Sequence, residues 1–253
     1  MSRLLPENVK IGLFPGCCWL KRSGAAEPII VLVEGQGAEV LQAAFGALLA
    51  QLSDAGPLNL HLLVSDSLAA VTLLPWQESL VTDPELRAYA QACFEQGGTV
   101  IDDGWVMQCG FRRFRSSGMA YALPHSWLSN VMTLSEVPRV RLKTALPISA
   151  MAYWRHSIAS ADGQSLLLLV ERDRLTALTS ANGSVVNRDV QPVLGNIDVS
   201  GVRLLKRVMA SQRNIQTVFY CDSSSFGAAS PQAFVAACLP DARIASVSAV
   251  EWI

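Results

Sequence analysis

The order of its apolar segments restricts this chain to a small set of folds. Residues 29–33 are a continuous apolar run, residues 38–52 carry apolar side chains at helical spacing, and residues 58–64 have the pattern of another strand. Such a run is typical of a strand buried on both faces, and the helix between the two runs predicts a strand–helix–strand unit. The second half repeats the alternation, so the sequence predicts a mixed α/β fold with helices on the faces of a buried sheet.

A change in composition separates the two halves. Pro138 and Pro147 enclose three basic residues, and we place the boundary between two lobes, residues 1–146 and 147–253, in this stretch. Each lobe opens with strands joined by short turns and adds its helices later. This gives the chain a weak internal similarity without a sequence repeat.

Turn and capping residues locate several shorter elements. A cap at residue 82 or 83, followed by Pro84 and Glu85, predicts the start of a helix that runs to about residue 96. A tight turn is expected at residues 182–183. We also expect strands at residues 99–107, 110–115, 119–123 and 243–253, and helices at residues 125–131, 149–159, 199–213 and after Ser230.

Composition argues against several classes of protein. The 253 residues are 51% hydrophobic with a formal net charge of −1, which argues against a disordered protein and against general polyanion binding. No apolar run is long enough to span a membrane, and residues 1–10 lack a signal-peptide pattern. We therefore expect a cytoplasmic location in which the six cysteines stay reduced.

Two glycine-containing loops are candidate nucleotide sites. Gly35 and Gly37 lie between a predicted strand and a predicted helix, as in a dinucleotide-binding loop, but Val40 stands where a third glycine is needed. Gly16 and Lys21 lie in the first predicted hairpin, without a carboxylate to hold a metal. Tight turns are the simpler interpretation of both loops.

Three further patterns bear on metal, nucleic-acid and acidic-partner binding. The three histidines are far apart and no Cys-x-x-Cys pair occurs, so no metal site is predicted. Residues 111–115 mix aromatic and basic side chains, but strand alternation would divide them between two faces, and no nucleic-acid partner is expected. The basic face of the helix at 199–213 is expected to be solvated, with an acidic partner or anionic lipid as the alternative.

Two further segments resemble a known family. Residues 62–76 read Leu-Leu-Val-Ser-Asp-Ser-Leu-Ala-Ala-Val-Thr-Leu-Leu-Pro-Trp, and residues 89–95 read Tyr-Ala-Gln-Ala-Cys-Phe-Glu. A strand ending in a Ser-Asp turn, a returning strand closed by Leu-Pro-Trp, and a helix with an aromatic residue near its end are similar to the PilM-like and GspL-like proteins of type IV pilus and type II secretion systems. The match covers residues 58–96 and elsewhere rests on element order.

This resemblance implies an actin-like (actin/hexokinase/Hsp70-type) two-lobed fold, with a subdomain inserted in the first lobe. It also implies a cytoplasmic scaffold, peripheral at the inner membrane, that binds the short cytoplasmic tail of a membrane partner and contacts an assembly ATPase. A homodimer is a further alternative. Some members bind ATP, but the hairpin at residues 12–21 lacks their Asp-x-Gly signature and the turn at 171–174 has no glycine. No cofactor is therefore predicted, and ATP remains an alternative with degenerate motifs.

We accordingly predict a non-catalytic adaptor with no catalytic residue. Trp76 is the first choice among the partner-binding residues, because an aromatic residue beside a helix start often anchors a binding surface. The alternative is a nucleotide-binding enzyme, either ATPase- or kinase-like through Gly16 and Lys21 or dinucleotide-dependent through Gly35 and Gly37. The full set of expected partner-binding residues is Leu68, Val71, Leu74, Trp76, Tyr89 and Phe94.

Overall fold

Strands and helices alternate through most of the chain. The computed structural model describes residues 6–35, 37–52, 56–80, 82–136, 140–155, 163–212, 214–223 and 233–252. The strands are β1 (Glu7–Phe14), β2 (Cys17–Arg22), β3 (Ile29–Leu32), β4 (Leu58–Val64), β5 (Ala70–Leu74), β6 (Trp105–Phe111), β7 (Gly118–Pro124), β8 (Val140–Pro147), β9 (Gln164–Val170), β10 (Arg174–Ala181), β11 (Ser184–Pro192), β12 (Ile215–Asp222) and β13 (Arg243–Ser246). The helices are α1 (Ala38–Ala50), α2 (Asp83–Gln96), α3 (His125–Leu134), α4 (Ile148–Arg155), α5 (Ile197–Ser211) and α6 (Ala233–Cys238).

Two five-stranded sheets share one topology. The first has the order β3-β2-β1-β4-β8 and the second the order β11-β10-β9-β12-β13. In each, three antiparallel strands form a meander, and two later strands extend the sheet parallel to the first strand of that meander. The weak similarity between the two halves of the sequence therefore corresponds to a repeated strand order.

A smaller antiparallel sheet is inserted between β4 and β8. Its order is β5-β7-β6, and α2 packs against β5 and β6. Ala90 and Phe94 of α2 are buried in its core beside Leu74 and Met107. The start of α2 has the predicted capping box, in which Thr82 and Glu85 each accept a hydrogen bond from the other's backbone N–H.

One hydrophobic core joins the two large sheets. Leu167 and Leu169 of β9 belong to the same buried cluster as Ile11 of β1 and Leu62 of β4. Alternate residues of β9, such as Leu168, point to the other face and are buried against α5. The second sheet is thus covered on both faces. One face packs against α5 and α6, and the other packs into the core that it shares with the first sheet.

Several predicted elements need correction. The run at residues 29–33 does form a strand, but it is not buried on both faces, because β3 is an edge strand with Leu32 80% exposed. The strand predicted at 110–115 is wrong, since β6 ends at Phe111 and the chain turns before β7 begins. The stretch between Pro138 and Pro147, predicted only as a boundary, contains the strand β8. The last predicted strand, at 243–253, ends at Ser246 and is followed by the 3₁₀ segment Ala249–Trp252.

Some predictions fall outside the described residues. The proposed cap at Ser230, His156 and the end of the helix predicted at 149–159 lie there, while the described part of that helix is α4. Within the described ranges, none of the helices combines the length and the apolar character needed to cross a bilayer.

Candidate functional site

An open groove lies between the inserted sheet and the second large sheet. It has a volume of about 580 Å³ and is bordered by the end of β5, the β6–β7 turn and the β10–β11 turn. Trp76 lies at its first edge, and Phe114 and Asn182 come from the two turns. We call this the Trp76 groove; its lining residues are Leu73, Pro75, Trp76, Arg113, Phe114, Arg115, Ser116, Ser117, Ala181, Asn182, Gly183, Ser184, Val185 and Val186.

Two aromatic rings, those of Trp76 and Phe114, line one side of this groove, and the ring of Phe111 packs against Trp76. The ring of Trp76 meets Phe111 edge-on at 5.0 Å between centroids and Phe114 at 5.1 Å. Edge-to-face pairs of this kind contribute about 0.5–1.5 kcal/mol beyond the area that they bury. Phe114 nevertheless remains 73% exposed, so this side of the groove offers an apolar surface to a ligand.

Hydrogen bonds hold the two turns against each other. Ser117 donates its N–H to Ser184 Oγ at 3.2 Å, and its hydroxyl bonds to the carbonyl of Val185. The β10–β11 turn has positive φ at both central residues, Asn182 (52°) and Gly183 (73°), which is typical of a two-residue hairpin turn that follows the twist of the strands. These bonds set the width of the groove.

Tyr153 of α4 holds the β6–β7 turn through hydrogen bonds of its hydroxyl. Its hydroxyl donates to the carbonyl of Ser117 at 2.7 Å and accepts the N–H of Arg112 at 3.0 Å. The Arg112 guanidinium returns to the Tyr153 carbonyl at 3.1 Å. Arg112 is thus bound at the base of the turn, while its neighbours Arg113 and Arg115 border the groove.

The groove has a positive electrostatic character. Among the residues that the structure describes, its lining includes Arg113 and Arg115 and no carboxylate. Arg115 lies over the ring of Phe114 at 5.3 Å and makes one long contact to Glu78, at 3.7 Å, with both side chains mostly exposed. An exposed pair of this kind contributes little, so both arginines are available to an anionic group.

The predicted partner-binding residues divide into three groups. Leu68, Leu74 and Phe94 are at least 90% buried within the hydrophobic clusters, so they support the fold rather than offer a surface. Trp76 lines the groove. Val71 is partly buried against the main core, and Tyr89 is partly exposed on α2, where its hydroxyl donates to the Pro75 carbonyl at 2.9 Å.

Away from the Trp76 groove, a cluster of buried polar side chains lies where the carboxyl ends of β4 and β9 meet. Asp66 is fully buried and accepts hydrogen bonds from the backbone and hydroxyl of Ser149. It also forms an ion pair at 3.2 Å with Arg188, which is 14% exposed. Arg174 donates to the Asp66 carbonyl at 2.7 Å. Buried charges need such partners, and here β10 and β11 of the second sheet supply them to a residue that follows β4 of the first sheet.

Glu171 lies beside this cluster and is also buried. Its Oε1 accepts the Asp66 N–H at 3.3 Å, while its Oε2 has no partner among the described residues. Burial, and then the negative charge of Asp66, raise the pKa of the Glu171 carboxyl to about 8. A raised pKa is common at functional sites but also occurs in structural networks.

The candidate nucleotide residues come together only in part. Gly16 lies in the β1–β2 turn and Gly35 follows β3, at the same end of the sheet, where the Val33 N–H donates to the Gly16 carbonyl at 3.3 Å. Lys21 lies near the far end of β2 and pairs with Lys10. Gly37 caps α1 with a φ of 109°.

The side chain of Arg172 lies against the β1–β2 turn. A Cβ atom added at Gly16, whose φ is 90°, would stand 2.7 Å from Arg172 Cδ. The turn therefore needs glycine both for its backbone conformation and for this close contact. A phosphate bound to this turn would have to share the space with the arginine.

Sequence reasoning missed most of the groove. The pattern at residues 111–115 predicts an exposed strand, whereas the Ser-Ser-Gly that follows is a turn signal and indicates a hairpin loop at Arg113, Phe114 and Arg115. The contribution of the β10–β11 turn had no local signal, because its contact with Ser117 joins residues 67 positions apart.

Several solved structures resemble this chain, with its repeated strand order and inserted sheet, over most of its length. The fold is actin-like. A chain of the PilM–PilN type IV pilus biogenesis complex matches with a TM-score of 0.66 and 10% identity, covering 98% of this chain and 90% of its own. The cytoplasmic domain of EpsL, an inner-membrane component of the type II secretion system of Vibrio cholerae, matches with a TM-score of 0.53 and 13% identity over 85% of this chain and 82% of its own.

A third actin-like match has no known function. It is a Bacteroides thetaiotaomicron protein with an actin-like ATPase fold, with a TM-score of 0.59 and 7% identity, covering 95% of this chain and 90% of its own. At these identities the likeness establishes the fold. No protein-family model matches the sequence, and no curated protein matches it.

Proposed function

We propose that this chain is a non-catalytic adaptor of a type IV pilus or type II secretion platform at the inner membrane. In this proposal the Trp76 groove takes the cytoplasmic tail of a membrane partner, and the rest of the molecule acts as a rigid support. An assembly ATPase is the second expected partner.

The observation that carries the proposal is the groove itself. It is open, aromatic side chains line one side of it, and two turns from different sheets set its width. Aromatic and arginine side chains at a well-packed concave surface are typical of binding hot spots. The likeness to a PilM–PilN complex and to the EpsL cytoplasmic domain favours a pilus or secretion partner over others.

The polar contacts between the lobes support a non-catalytic role. Where the ends of β4 and β9 meet, Asp66 is bonded to Ser149 and Arg188. A phosphoryl-transfer enzyme needs carboxylates that are available to a metal ion beside the phosphates. The Asp66 carboxylate already has protein partners for both of its oxygens.

The test is an affinity pull-down from detergent-solubilised membranes of the source organism, followed by mass spectrometry. Wild-type chain is expected to recover a small inner-membrane protein with a short cytoplasmic tail, or an assembly ATPase. Trp76→Ala and Arg115→Glu should lose the tailed partner. Leu194→Ala should keep it, because Leu194 is 84% exposed and outside the groove.

Thermal stability tests the alternative, a nucleotide-dependent enzyme. Ligand at a hundred times its dissociation constant adds about 2.7 kcal/mol to the free energy of unfolding. A clear shift of the melting temperature with ATP–Mg or NAD, together with no platform component in the pull-down, would replace the adaptor with a nucleotide-dependent enzyme. Circular dichroism of Trp76→Ala checks that lost binding is not lost folding.

A further inference from the structure

The outer edge of the first sheet carries an unusual strand. β3 stands at the end of the strand order and pairs with β2. Its four residues are all aliphatic, with Ile29 39%, Ile30 49% and Leu32 80% exposed. Soluble proteins usually protect an edge strand with charged side chains, proline or a bulge, because its free backbone groups pair readily with another chain.

The register with β2 shows which backbone groups are free. Val33, directly after β3, donates its N–H to the carbonyl of Gly16, directly before β2. In antiparallel pairing the direction of these groups alternates along the strand. Val31 and Ile29 therefore also point toward β2, whereas the N–H and C=O of Ile30 and Leu32 point away from the sheet. These two residues also have the most exposed side chains of the strand.

We propose that the β3 edge, residues Ile29–Leu32, binds an extended segment of a partner protein as a sixth strand of the first sheet. The segment has an aliphatic centre that covers Ile30 and Leu32, and basic residues on both sides of that centre. Backbone hydrogen bonds supply affinity in this mode of recognition, and the side chains supply selectivity.

The charges around the β3 edge select such a segment. Glu27 precedes the strand and Glu34 follows it. Both are exposed, and neither forms an ion pair within the described part of the chain. Opposite charges across paired strands stabilise the pair, and like charges destabilise it.

The same charges disfavour a second copy of this chain. An antiparallel dimer that uses all the free groups pairs Ile30 with Leu32 of the other copy. Glu27 then lies within one residue position of the other copy's Glu34, at both ends of the pairing. The edge is therefore better suited to a basic partner strand than to itself.

This inference stands apart from the proposed function. The β3 edge shares no residue with the Trp76 groove, which is built from the inserted sheet and the second sheet. A partner on the edge would leave the groove open, so loss of binding at one surface does not imply loss at the other.

Fluorescence anisotropy with two labelled peptides tests the proposal. The first probe is Lys-Arg-Val-Thr-Val-Thr-Val-Lys-Arg, and the second has glutamate in place of its four basic residues. Wild-type chain should bind the basic probe at least ten-fold more tightly than the acidic one. Leu32→Lys should weaken binding of the basic probe at least ten-fold. Leu194→Lys, an equally exposed leucine elsewhere, should bind as wild type does.

Amide hydrogen exchange locates the bound strand. With the basic probe present, the amides of Ile30 and Leu32 should exchange more slowly, while that of Val31 should change little because it already points toward β2. Equal binding by Leu32→Lys and Leu194→Lys, or no binding of the basic probe at 1 mM, overturns the proposal. A dimer in solution that Leu32→Lys dissociates would assign the edge to a second copy instead.

Discussion

At Glu171 two effects on a single carboxyl group act in the same direction. The side chain is buried, and the negative charge of Asp66 lies close to it, so both effects favour the protonated form. The hydrogen bond from Ser65 and the charge of Arg174 oppose them and are smaller. The folded protein therefore holds this proton to a higher pH than the unfolded chain does.

This difference predicts a pH dependence of stability. As pH rises from 4.5 toward about 8, the unfolded chain has released the proton and the folded protein has not, so the free energy of unfolding falls across this window. Glu171→Gln removes that contribution. The stability of the variant relative to wild type should therefore be greater at pH 8 than at pH 5, measured by urea denaturation at both values. An equal difference at the two pH values would contradict the assignment.

For single residues, the sequence predicts which side chains have the chemistry of a binding site better than it predicts where those side chains lie in the fold. Trp76, predicted from its type and its place beside a helix start, lines the groove, whereas Leu74 and Phe94, predicted from the segments that they belong to, are buried in the core. Which face of a strand or helix is covered depends on the elements that pack against it. In the inserted sheet those contacts bring distant segments together, so spacing along the chain does not reveal them.

Helices α1 and α5 show how packing decides the effect of one methyl group. A Cβ added at Gly46 of α1 meets no atom within 4 Å, while one added at Gly201 of α5 would overlap the ring of Phe234 from α6. Alanine is intrinsically more favourable than glycine inside a helix by about 0.5–1 kcal/mol. At Gly201 the α5–α6 contact opposes this preference.

The pair gives a matched prediction. Gly46→Ala should raise the free energy of unfolding by about 0.5–1 kcal/mol. Gly201→Ala should lower it by about 1–3 kcal/mol, the usual cost of an overpacked core. Chemical denaturation of both variants measures the difference. If Gly201→Ala proved as stable as Gly46→Ala, the described packing of α6 on α5 would be wrong.

Elements with local signals were predicted well, and those defined by their neighbours were not. The capping box at Thr82 fixed the start of α2, and the Asn-Gly pair fixed the β10–β11 turn. The exposure of β3 and the existence of β8 depend on which strand lies beside each of them. An apolar run gives no information on whether it lies at the centre or the edge of a sheet.

The shared core predicts that the molecule unfolds as one unit. Leu178 and Cys221 of the second sheet lie in the same buried cluster as Leu13 and Leu63 of the first. Neither sheet can expose this face without exposing the other, so both should unfold in a single transition.

Two spectroscopic probes test this cooperativity. Five of the six tryptophans precede residue 155, so fluorescence follows mainly the first sheet and its neighbours, whereas far-UV circular dichroism follows all the helices and strands. The two urea transitions should have the same midpoint. A second transition seen by circular dichroism alone would mean that the second sheet unfolds separately.

The bonds between Ser117 and the β10–β11 turn also have a mechanical consequence. The inserted sheet is covalently attached to the first sheet, but these bonds tie its tip to the second. A rotation of one large sheet against the other would therefore have to distort these bonds, and with them the width of the groove between the two turns. A ligand bound in that groove and the angle between the sheets are thus thermodynamically linked, so that each biases the other by the same free energy.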